Sequence, residues 1–237
     1  MSNKQQELKQ QAAEYAVNFI KPGMVVGLGT GSTAILAVHH IAKLLDLGEL
    51  TNIVGIPTST QIEEAARELG IPLTTLEEQS VIDLTIDGAD EVNPALDVIK
   101  GGGGALLREK IVAQASKRQI IIVDDSKTSA ALGTKWAVPI EVIPFGWGSQ
   151  RAFLESISKS VTLRHTAAGE QFETDHGNMI LDCDFGPIAD TASLAQQLNY
   201  RTGVVEHGLF LDLVTDVIIA GEQGIEHKER ERTNAND

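Results

Sequence analysis

The sequence predicts an α/β fold in which a parallel sheet carries helices on both faces, joined to a smaller α+β domain. In the first half of the chain, short apolar segments of strand length alternate with segments whose apolar residues recur at helical spacing. In the second half, strands outnumber helices and follow one another more directly. Alternation of the first kind favours a parallel sheet, because a parallel crossover usually passes through a helix.

The first half supplies the elements of the parallel sheet. Predicted helices cover residues 5–20, 35–45 and 61–69, and predicted strands cover residues 24–28, 53–56, 81–86 and 120–123. A short apolar segment, 71–74, separates the third helix from the third strand. In a Rossmann-like sheet of this kind, ligands bind beyond the carboxyl ends of the strands. The residues that follow each strand are therefore the first candidates for a functional site.

The second half predicts a small domain of ferredoxin-like, split βαβ type. Its strands are predicted at 137–143, 161–165, 178–185 and 203–209, and its helices at 149–158 and 190–198. The segment 216–221, DVIIAG, is predicted to return as a strand to the first domain. The predicted division is 1–132 with 210–237 for the sheet domain and 133–209 for the small domain. The mixed-charge segment 225–237 is predicted to be a frayed end.

Composition excludes several classes of function. The net charge of −14 disfavours nucleic acid, because backbone phosphates are repelled unless a basic patch exists, and the sequence shows none outside its mixed-charge C-terminal segment. No apolar run approaches the ~18 residues that a membrane span requires, and the first residues lack the apolar core of a signal peptide. Cys183 is the single cysteine, so no intrachain disulfide can form. These features predict a cytoplasmic protein without membrane or nucleic-acid partners.

The turn after the first strand, GLGTGSTA at 27–34, predicts a phosphate site. A strand, a glycine turn and a helix N-terminus together direct backbone N–H groups at an anion, and Thr30, Ser32 and Thr33 add hydroxyl groups. A P-loop would need a lysine that is absent here, and the dinucleotide fingerprint would need glycine where Ser32 stands. A small phosphate monoester fits better than a nucleotide. A glycine turn that binds nothing is the alternative.

Two further motifs add carboxylates and a cation. DGADE at 87–91 follows a predicted strand, so Asp87 and Asp90 emerge where a ligand is expected. They can transfer protons, hold Mg²⁺ or cap a turn, and metal is disfavoured because no histidine or further acidic cluster lies nearby in sequence. KGGGGALLREK at 100–110 places four glycines between Lys100 and a helix that carries Glu109. This pattern suits an enzyme that holds a small anion and moves its protons, although an ordinary glycine turn is also possible.

Taken together, GLGTGSTA, DGADE, KGGGGALLREK and the VDDSK of 123–127 resemble ribose-5-phosphate isomerase, type A. The motifs run in the family's order across nearly the whole chain, and only segment 226–237 lies outside the resemblance. The resemblance implies interconversion of D-ribose 5-phosphate and D-ribulose 5-phosphate in the non-oxidative pentose phosphate pathway, with no metal and no cofactor. It also implies a homodimer or homotetramer built through the small domain.

The resemblance assigns positions as well. Glu109 corresponds to the proton-transferring base, Lys127 to a substrate-binding lysine, and Lys9, on a short match, to a residue that reaches the site. The other phosphosugar contacts fall on three runs of residues: Thr30, Gly31, Ser32 and Thr33; Asp87, Gly88, Ala89 and Asp90; and Lys100, Gly101, Gly102 and Gly103.

The chemistry of aldose–ketose isomerisation explains this set. A carboxylate must take a proton from C2 and return it to C1, which suits Glu109. Lys100 and the glycine backbone can stabilise the oxyanion that develops, and Asp87, with Asp90, suits transfer of hydroxyl protons during ring opening. Burial would raise the pKa of Glu109 and a nearby lysine would lower it, and the sequence does not decide between them.

Two rival functions remain open at this stage. An acyl or CoA transferase could use Glu109 as a nucleophile, but the paired aspartates would then have no evident task. A sugar-phosphate sensor would normally carry an output module, for which the 237 residues leave no room. Several other residues are interpreted as structural, namely Cys183, His39, His40, Trp136 and Trp147, and His207 as a residue that could approach an interface.

Overall fold

The computed structural model describes residues 3–231 and contains six α-helices and thirteen strands in that range. The helices are α1 (Asn3–Val17), α2 (Ala34–Asp46), α3 (Thr60–Glu68), α4 (Leu106–Gln114), α5 (Trp147–Ile157) and α6 (Thr191–Asn199). The strands are β1 (Val25–Leu28), β2 (Val54–Pro57), β3 (Leu84–Gly88), β4 (Glu91–Val92), β5 (Val98–Ile99), β6 (Gln119–Asp124), β7 (Val138–Val142), β8 (Ser160–Leu163), β9 (Met179–Asp184), β10 (Val204–His207), β11 (Leu209–Phe210), β12 (Asp216–Gly221) and β13 (Gly224–Glu229).

The main sheet has the strand order β13-β12-β6-β3-β1-β2. All neighbours in it are parallel except β12 and β13, which form an antiparallel hairpin. The chain passes from β1 to β2 on one side and then returns to β3 on the other side of β1. This reversal of direction leaves a crevice at the carboxyl ends of β1 and β3, which is where an open α/β sheet binds its ligands.

Helices cover both faces of this sheet, as predicted. Side chains of β6 alternate between the faces, because successive residues of a strand point in opposite directions. Ile120 and Ile122 pack with α1 and α2 in one hydrophobic cluster, while Ile121 and Val123 pack with α4 in another. Ala12, Ala13 and Ala16 of α1 are completely buried, and their small side chains let this helix lie close to the sheet.

The small domain is α+β, also as predicted. Its four-stranded antiparallel sheet has the order β10-β7-β9-β8. Val138, Ile140 and Leu181 of this sheet pack against Leu154 of α5 and Leu198 of α6, and all five side chains are fully buried. These side chains form a hydrophobic cluster of the small domain, which Ile99 of β5 joins, whereas Ile180 of β9 packs into the cluster of β6 and β12.

A three-stranded sheet that the sequence did not predict joins the two domains. Its order is β11-β5-β4, and both pairs are antiparallel. Immediately after β5, the N–H of Lys100 donates to the carbonyl of Gly208 (2.9 Å). This sheet thereby fixes the start of the glycine segment against the end of the small domain.

The prediction of a frayed end was wrong for part of the segment 225–237. Residues Gly224–Glu229 form β13, which pairs with β12 over its whole length, from Gly221↔Gly224 to Asp216↔Glu229. The charged residues of β13 made the segment look unstructured in the sequence. An edge strand exposes side chains to solvent and therefore tolerates charge. Residues 232–237 lie outside the described part of the chain. Between residues 3 and 231, no helix has the length and apolar character of a membrane span.

Candidate active site

The turn after β1 is built around the side chain of Asp87. Asp87 Oδ1 accepts hydrogen bonds from the N–H of Thr30 (3.1 Å) and of Gly88 (2.8 Å). A β-carbon at Gly29 would lie 2.3 Å from the same oxygen, so only glycine lets the two strand ends approach this closely. The turn then enters α2. The N–H groups of Ile35 and Leu36 already donate to the carbonyls of Gly31 (3.0 Å) and Thr33 (3.1 Å), so the candidate donors to an anion are the N–H groups that precede them.

The hydroxyl groups of this turn differ in their roles. Thr30 Oγ1 hydrogen bonds within the fold to Thr58 Oγ1 (2.7 Å) and Ser59 Oγ (2.8 Å), so it is not the ligand donor that the sequence suggested. Ser32 instead accepts a hydrogen bond from Lys9 Nζ (2.9 Å), which brings α1 to the site. The structure therefore places Lys9, which the resemblance had assigned to the site, beside the predicted phosphate cradle.

Lys100 lies at the centre of a buried charge cluster. Its ammonium donates to the carbonyl of Gly88 (2.5 Å) and to Glu109 Oε1 (3.1 Å), and it forms an ion pair with Asp87 Oδ2 (3.0 Å). Lys100 and Asp87 are at most 2% exposed, and Glu109 is 4% exposed. The ammonium occupies the space between the two carboxylates where a metal ion would have to bind, so these residues do not fit a metal centre.

The cluster shifts the proton affinities of its members. Burial raises the pKa of Glu109 to about 8, because the attraction of Lys100 only partly offsets desolvation and the charge of Asp87 adds to it. Burial likewise raises the pKa of Asp87. Burial opposes the charge on Lys100, but the negative charges of Asp87 and Glu109 outweigh it and raise the pKa of Lys100. The cluster thus retains a proton near neutral pH, which the coupled carboxylates of Glu109 and Asp87 share.

The second oxygen of Glu109 is the chemically available one. Within the described residues, Glu109 Oε2 is buried and has no hydrogen-bond partner. A buried acceptor without a partner is costly, and a catalytic role is one explanation for it. Lys100 therefore holds one oxygen of the carboxylate in place and leaves the other oxygen free to exchange a proton.

The glycine segment forms a turn that closes over the cleft. Gly101 and Gly104 adopt the left-handed conformation, with φ of 99° and 86°, and the N–H of Gly104 donates to the carbonyl of Gly101 (3.0 Å). The N–H of Gly102 donates to Asp90 Oδ2 (2.7 Å). A β-carbon at Gly102 would lie 2.6 Å from Asp90 Oδ1, so this glycine is required for the close approach of Asp90.

The structure brings together every predicted site residue except Asp87 as the lining of one cleft of ≈ 80 Å³. The lining consists of Lys9, Thr30, Gly31, Ser32, Thr33, Gly88, Ala89, Asp90, Lys100, Gly101, Gly102, Gly103, Glu109 and Lys127. Asp87 is completely buried beneath Lys100, so it cannot meet a sugar hydroxyl in this structure. The sequence favoured Asp87 for that contact, and the structure favours Asp90.

The sequence did not predict the part that three residues play at the site. The ring of Trp136 lies 4.9 Å from Lys127 Nζ in a cation–π contact, whereas the sequence suggested only packing. Glu91 accepts hydrogen bonds from Ser129 and from the N–H groups of residues 133–136, and so holds the loop that carries Trp136. Arg164 donates to the glycine turn from the small domain. No local motif distinguishes these residues, because Glu91 and Arg164 act across long sequence separations and the contact of Trp136 with Lys127 depends on the path of the loop between them.

Comparison with known proteins gives one consistent result. Residues 54–224 match the family model "Ribose 5-phosphate isomerase A (phosphoriboisomerase A)". The chain is 59% identical to ribose-5-phosphate isomerase A of Desulfatibacillum aliphaticivorans over 93% of its own length and 96% of the relative's. It is 50% identical to a probable chloroplastic ribose-5-phosphate isomerase 3 of Arabidopsis thaliana, over 94% of this chain and 83% of the relative.

Solved structures agree with the sequence relatives. The ribose 5-phosphate isomerase of Plasmodium falciparum is 41% identical and superposes with a TM-score of 0.92 over 95% of this chain and 99% of its own. A D-ribose-5-phosphate isomerase in complex with phospho-erythronic acid is 39% identical, with a TM-score of 0.93 over 97% of this chain and 100% of its own. The match extends over the main sheet, the cleft and the small domain, and the chain belongs to the ribose 5-phosphate isomerase A family.

Proposed function

We propose that this isomerase interconverts D-ribose 5-phosphate and D-ribulose 5-phosphate by proton transfer through an enediolate, with Glu109 as the base. The observation that carries the proposal is the state of the Glu109 carboxylate. One oxygen is fixed by Lys100, and the other is buried without a partner within residues 3–231, in the wall of the cleft. A raised pKa suits this task, because a base whose pKa lies near the working pH can accept a proton from C2 and return it to C1.

The substrate phosphate binds, in this proposal, at the N-terminus of α2. Backbone N–H groups of residues 31–33 supply the first donors, and Ser32 lies beside the Lys9 ammonium. Lys127, supported by Trp136, contributes a second cation to the cleft wall. Local cations are needed because the chain carries a net charge of −14 and would otherwise repel a phosphorylated sugar.

Asp87, Lys100 and Asp90 then divide the remaining tasks. Asp87 holds Lys100 and the Thr30 turn in position from beneath the cleft. Lys100 fixes Glu109 and supplies positive charge near the enediolate. Asp90, which lines the cleft and is oriented by the N–H of Gly102, accepts the hydroxyl proton when the furanose ring opens. The mechanism needs no metal ion and no organic cofactor.

Formation of ketopentose phosphate from D-ribose 5-phosphate, measured with EDTA present throughout, tests the proposed function. We expect turnover that EDTA does not reduce. Recovery of activity only after addition of Mg²⁺ would instead make the carboxylates metal ligands. Binding of ribose 5-phosphate without turnover would favour a sensor, and a glutamyl adduct trapped by hydroxylamine would favour a transferase.

We also propose a homodimer or homotetramer assembled through the small domain, taken as residues 133–209 and distinct from 1–132 with 210–237. Phe145 is 88% exposed and Tyr200 is 81% exposed, and large apolar side chains at such exposure favour contact with another protein surface. Sedimentation equilibrium of the wild type and of Phe145→Ser tests the assembly. A monomeric wild type would contradict the proposal.

A cytoplasmic location completes the proposal. Cys183 is the single cysteine and is buried in the small domain, and burial raises the pKa of its thiol. A chain without disulfide bonds is typical of a reducing compartment. Fractionation of the native source, with this protein followed by antibody, checks the location.

A further inference from the structure

Arg164 reaches from the small domain to the glycine turn of the cleft. Its Nη1 donates to the carbonyl of Gly101 (2.7 Å) and to that of Gly102 (3.2 Å). Asp182 anchors the guanidinium by accepting hydrogen bonds from Nε (2.9 Å) and Nη2, and the ring of Phe172 lies 5.8 Å away. The Arg164 side chain is only 12% exposed. The guanidinium therefore links Asp182 of β9, in the small domain, to two consecutive peptide groups of the turn.

Holding these carbonyls fixes the direction of the next two N–H groups. A trans peptide unit is planar, so its C=O and N–H point in opposite directions. The carbonyl of Gly101 points to Arg164, and the N–H of the same peptide unit, that of Gly102, points away and donates to Asp90. By the same geometry, the carbonyl of Gly102 directs the N–H of Gly103 away from Arg164 and toward the cleft that Gly103 lines.

The surroundings of Gly103 are open. A β-carbon placed there would meet only the methyl group of Thr30 at 3.8 Å, whereas the same addition at Gly102 or Gly104 would collide with Asp90 or Phe172. Packing therefore leaves open space beside Gly103. That space is accessible to a substrate atom.

We propose that Arg164 is a positioning residue of the isomerase, which holds the Gly101 and Gly102 carbonyls so that the Gly103 N–H is presented to the enediolate oxyanion. A fixed N–H donor stabilises charge that develops in the transition state without reorganising during the reaction. The inference rests on the proposed isomerisation. It assigns to the small domain a direct part in orienting the catalytic turn.

The shape of the arginine side chain is essential to this role. A guanidinium presents several N–H donors in a rigid planar fork, and here the fork joins one carboxylate and two carbonyls. A lysine ammonium carries the same charge but cannot hold this planar set of acceptors. Arg164→Lys is therefore expected to retain the fold and only part of the activity.

The test compares Arg164→Ala, and the double variant Arg164→Ala/Asp182→Ala, with the wild type. The double variant removes the carboxylate that the single variant would leave unpaired, and so protects the fold. Arg118→Ala is the matched control, because Arg118 also pairs through two hydrogen bonds with an aspartate (Asp216) and stacks on a phenylalanine (Phe19), but it lies at the opposite end of the main sheet.

Two measurements separate positioning from a merely structural role. Calorimetric titration with phospho-erythronic acid, whose carboxylate carries charge as an enediolate does, gives the fraction of intact sites and the affinity for a charged analogue. We expect kcat per intact site to fall by about tenfold to a hundredfold in both Arg164 variants. KM for ribose 5-phosphate should change by less than about threefold, and the analogue should lose more affinity than the substrate.

Chemical rescue provides an independent readout. Millimolar guanidinium chloride should restore part of kcat in Arg164→Ala, whereas urea at the same concentration should not, and neither should change kcat of the Arg118→Ala control. A wild-type kcat per intact site in both Arg164 variants would overturn the inference. Absence of turnover in the wild type itself would instead overturn the proposed function.

Discussion

Two buried or half-buried charge clusters lie at opposite ends of the main sheet, and they differ in how completely their carboxylate oxygens are hydrogen bonded. At the carboxyl end, Lys100 holds Asp87 and Glu109. At the amino end, where β6 and β12 begin, Arg118 pairs with Asp216 through two hydrogen bonds of 2.9 and 2.6 Å. The first cluster leaves a carboxylate oxygen unpartnered, and the second saturates both carboxylate oxygens.

The proton affinities follow from this difference. Burial alone would raise the pKa of Asp216, but hydrogen bonds from Arg118, Thr215 and His227 outweigh it and lower the pKa. In Glu109 burial prevails over Lys100 and the pKa rises to about 8. Asp216 is therefore held ionised at neutral pH, where Glu109 can change its protonation state. The same kinds of residues therefore serve stability where all their polar atoms have hydrogen-bond partners, and chemistry where one polar atom has none.

The amino-end cluster also illustrates why proximity of ligands is not sufficient for a metal site. Asp216, His227 and Glu229 place potential ligand atoms within 4.8 Å of one another. The guanidinium of Arg118 already occupies both oxygens of Asp216, so a metal ion would have to displace a bound cation. We interpret this cluster as a structural ion-pair and hydrogen-bond network that connects β6, β12 and β13.

The strongest test of the comparison is Glu109→Gln. The amide keeps the size of the side chain but cannot accept the proton from C2, so we expect kcat to fall by about 10²–10⁴-fold while ribose 5-phosphate still binds. Because a buried charge is also removed, the free energy of unfolding at pH 9 should rise by about 1–3 kcal/mol. Turnover assays and urea denaturation measure the two effects, and near-normal kcat would refute the assignment of the base.

A backbone substitution tests the glycine turn next. Gly102→Ala would place a β-carbon 2.6 Å from Asp90 Oδ1, so the carboxylate must move away from its position in the cleft. We expect kcat/KM to fall by about tenfold to a hundredfold. Gly148→Ala in α5 is the matched control, because a β-carbon there meets no atom within 4 Å. Equal activity of the two variants would show that the position of Asp90 is unimportant.

The pH dependence of the wild type sharpens the contrast between the two ends. In the free enzyme Glu109 is protonated below its pKa of about 8, so kcat/KM should rise with pH up to that value and then level off. A profile that stays flat between pH 6 and pH 9 would contradict the raised pKa. Initial rates at constant ionic strength provide the measurement.

The same pKa predicts a pH-dependent stability. The pKa of Glu109 is about 8 in the folded protein, whereas its ordinary value of 4.5 applies to the unfolded chain. The contribution of Glu109 to stability is therefore complete below about 4.5 and is lost as the pH rises through 8. The stability advantage of Glu109→Gln over the wild type should therefore increase across this window. Denaturation midpoints at pH 5, 7 and 9 test the sign.

The smallest effect on activity is expected at the amino end of the sheet. Arg118→Ala leaves Asp216 without its main partner and should lower the free energy of unfolding by about 2 kcal/mol. Its kcat should remain within about twofold of the wild type, because Arg118 lies at the opposite end of the strands from the cleft. A large loss of kcat per folded molecule would mean that the two ends of the sheet are coupled.

The sequence alone determined much of this protein, because its signals are local. The pattern of apolar residues located the main helices and the strands of the main sheet other than β13, and it predicted β12 at its observed bounds. The glycine and aspartate motifs identified nearly every residue that lines the cleft. Local steric demands explain this success, since a phosphate turn and a close approach of backbone to carboxylate both require glycine at fixed positions.

The tertiary structure decided what depends on distant residues. Only the fold places Asp87 beneath Lys100, brings Trp136 to Lys127 and carries Arg164 from the small domain to the glycine turn. It also decided the pKa of Glu109, because burial and the distance to Lys100 have opposite effects and neither can be obtained from spacing along the chain. Sequence patterns specify conformation over a few residues, whereas burial and electrostatics are properties of the assembled fold.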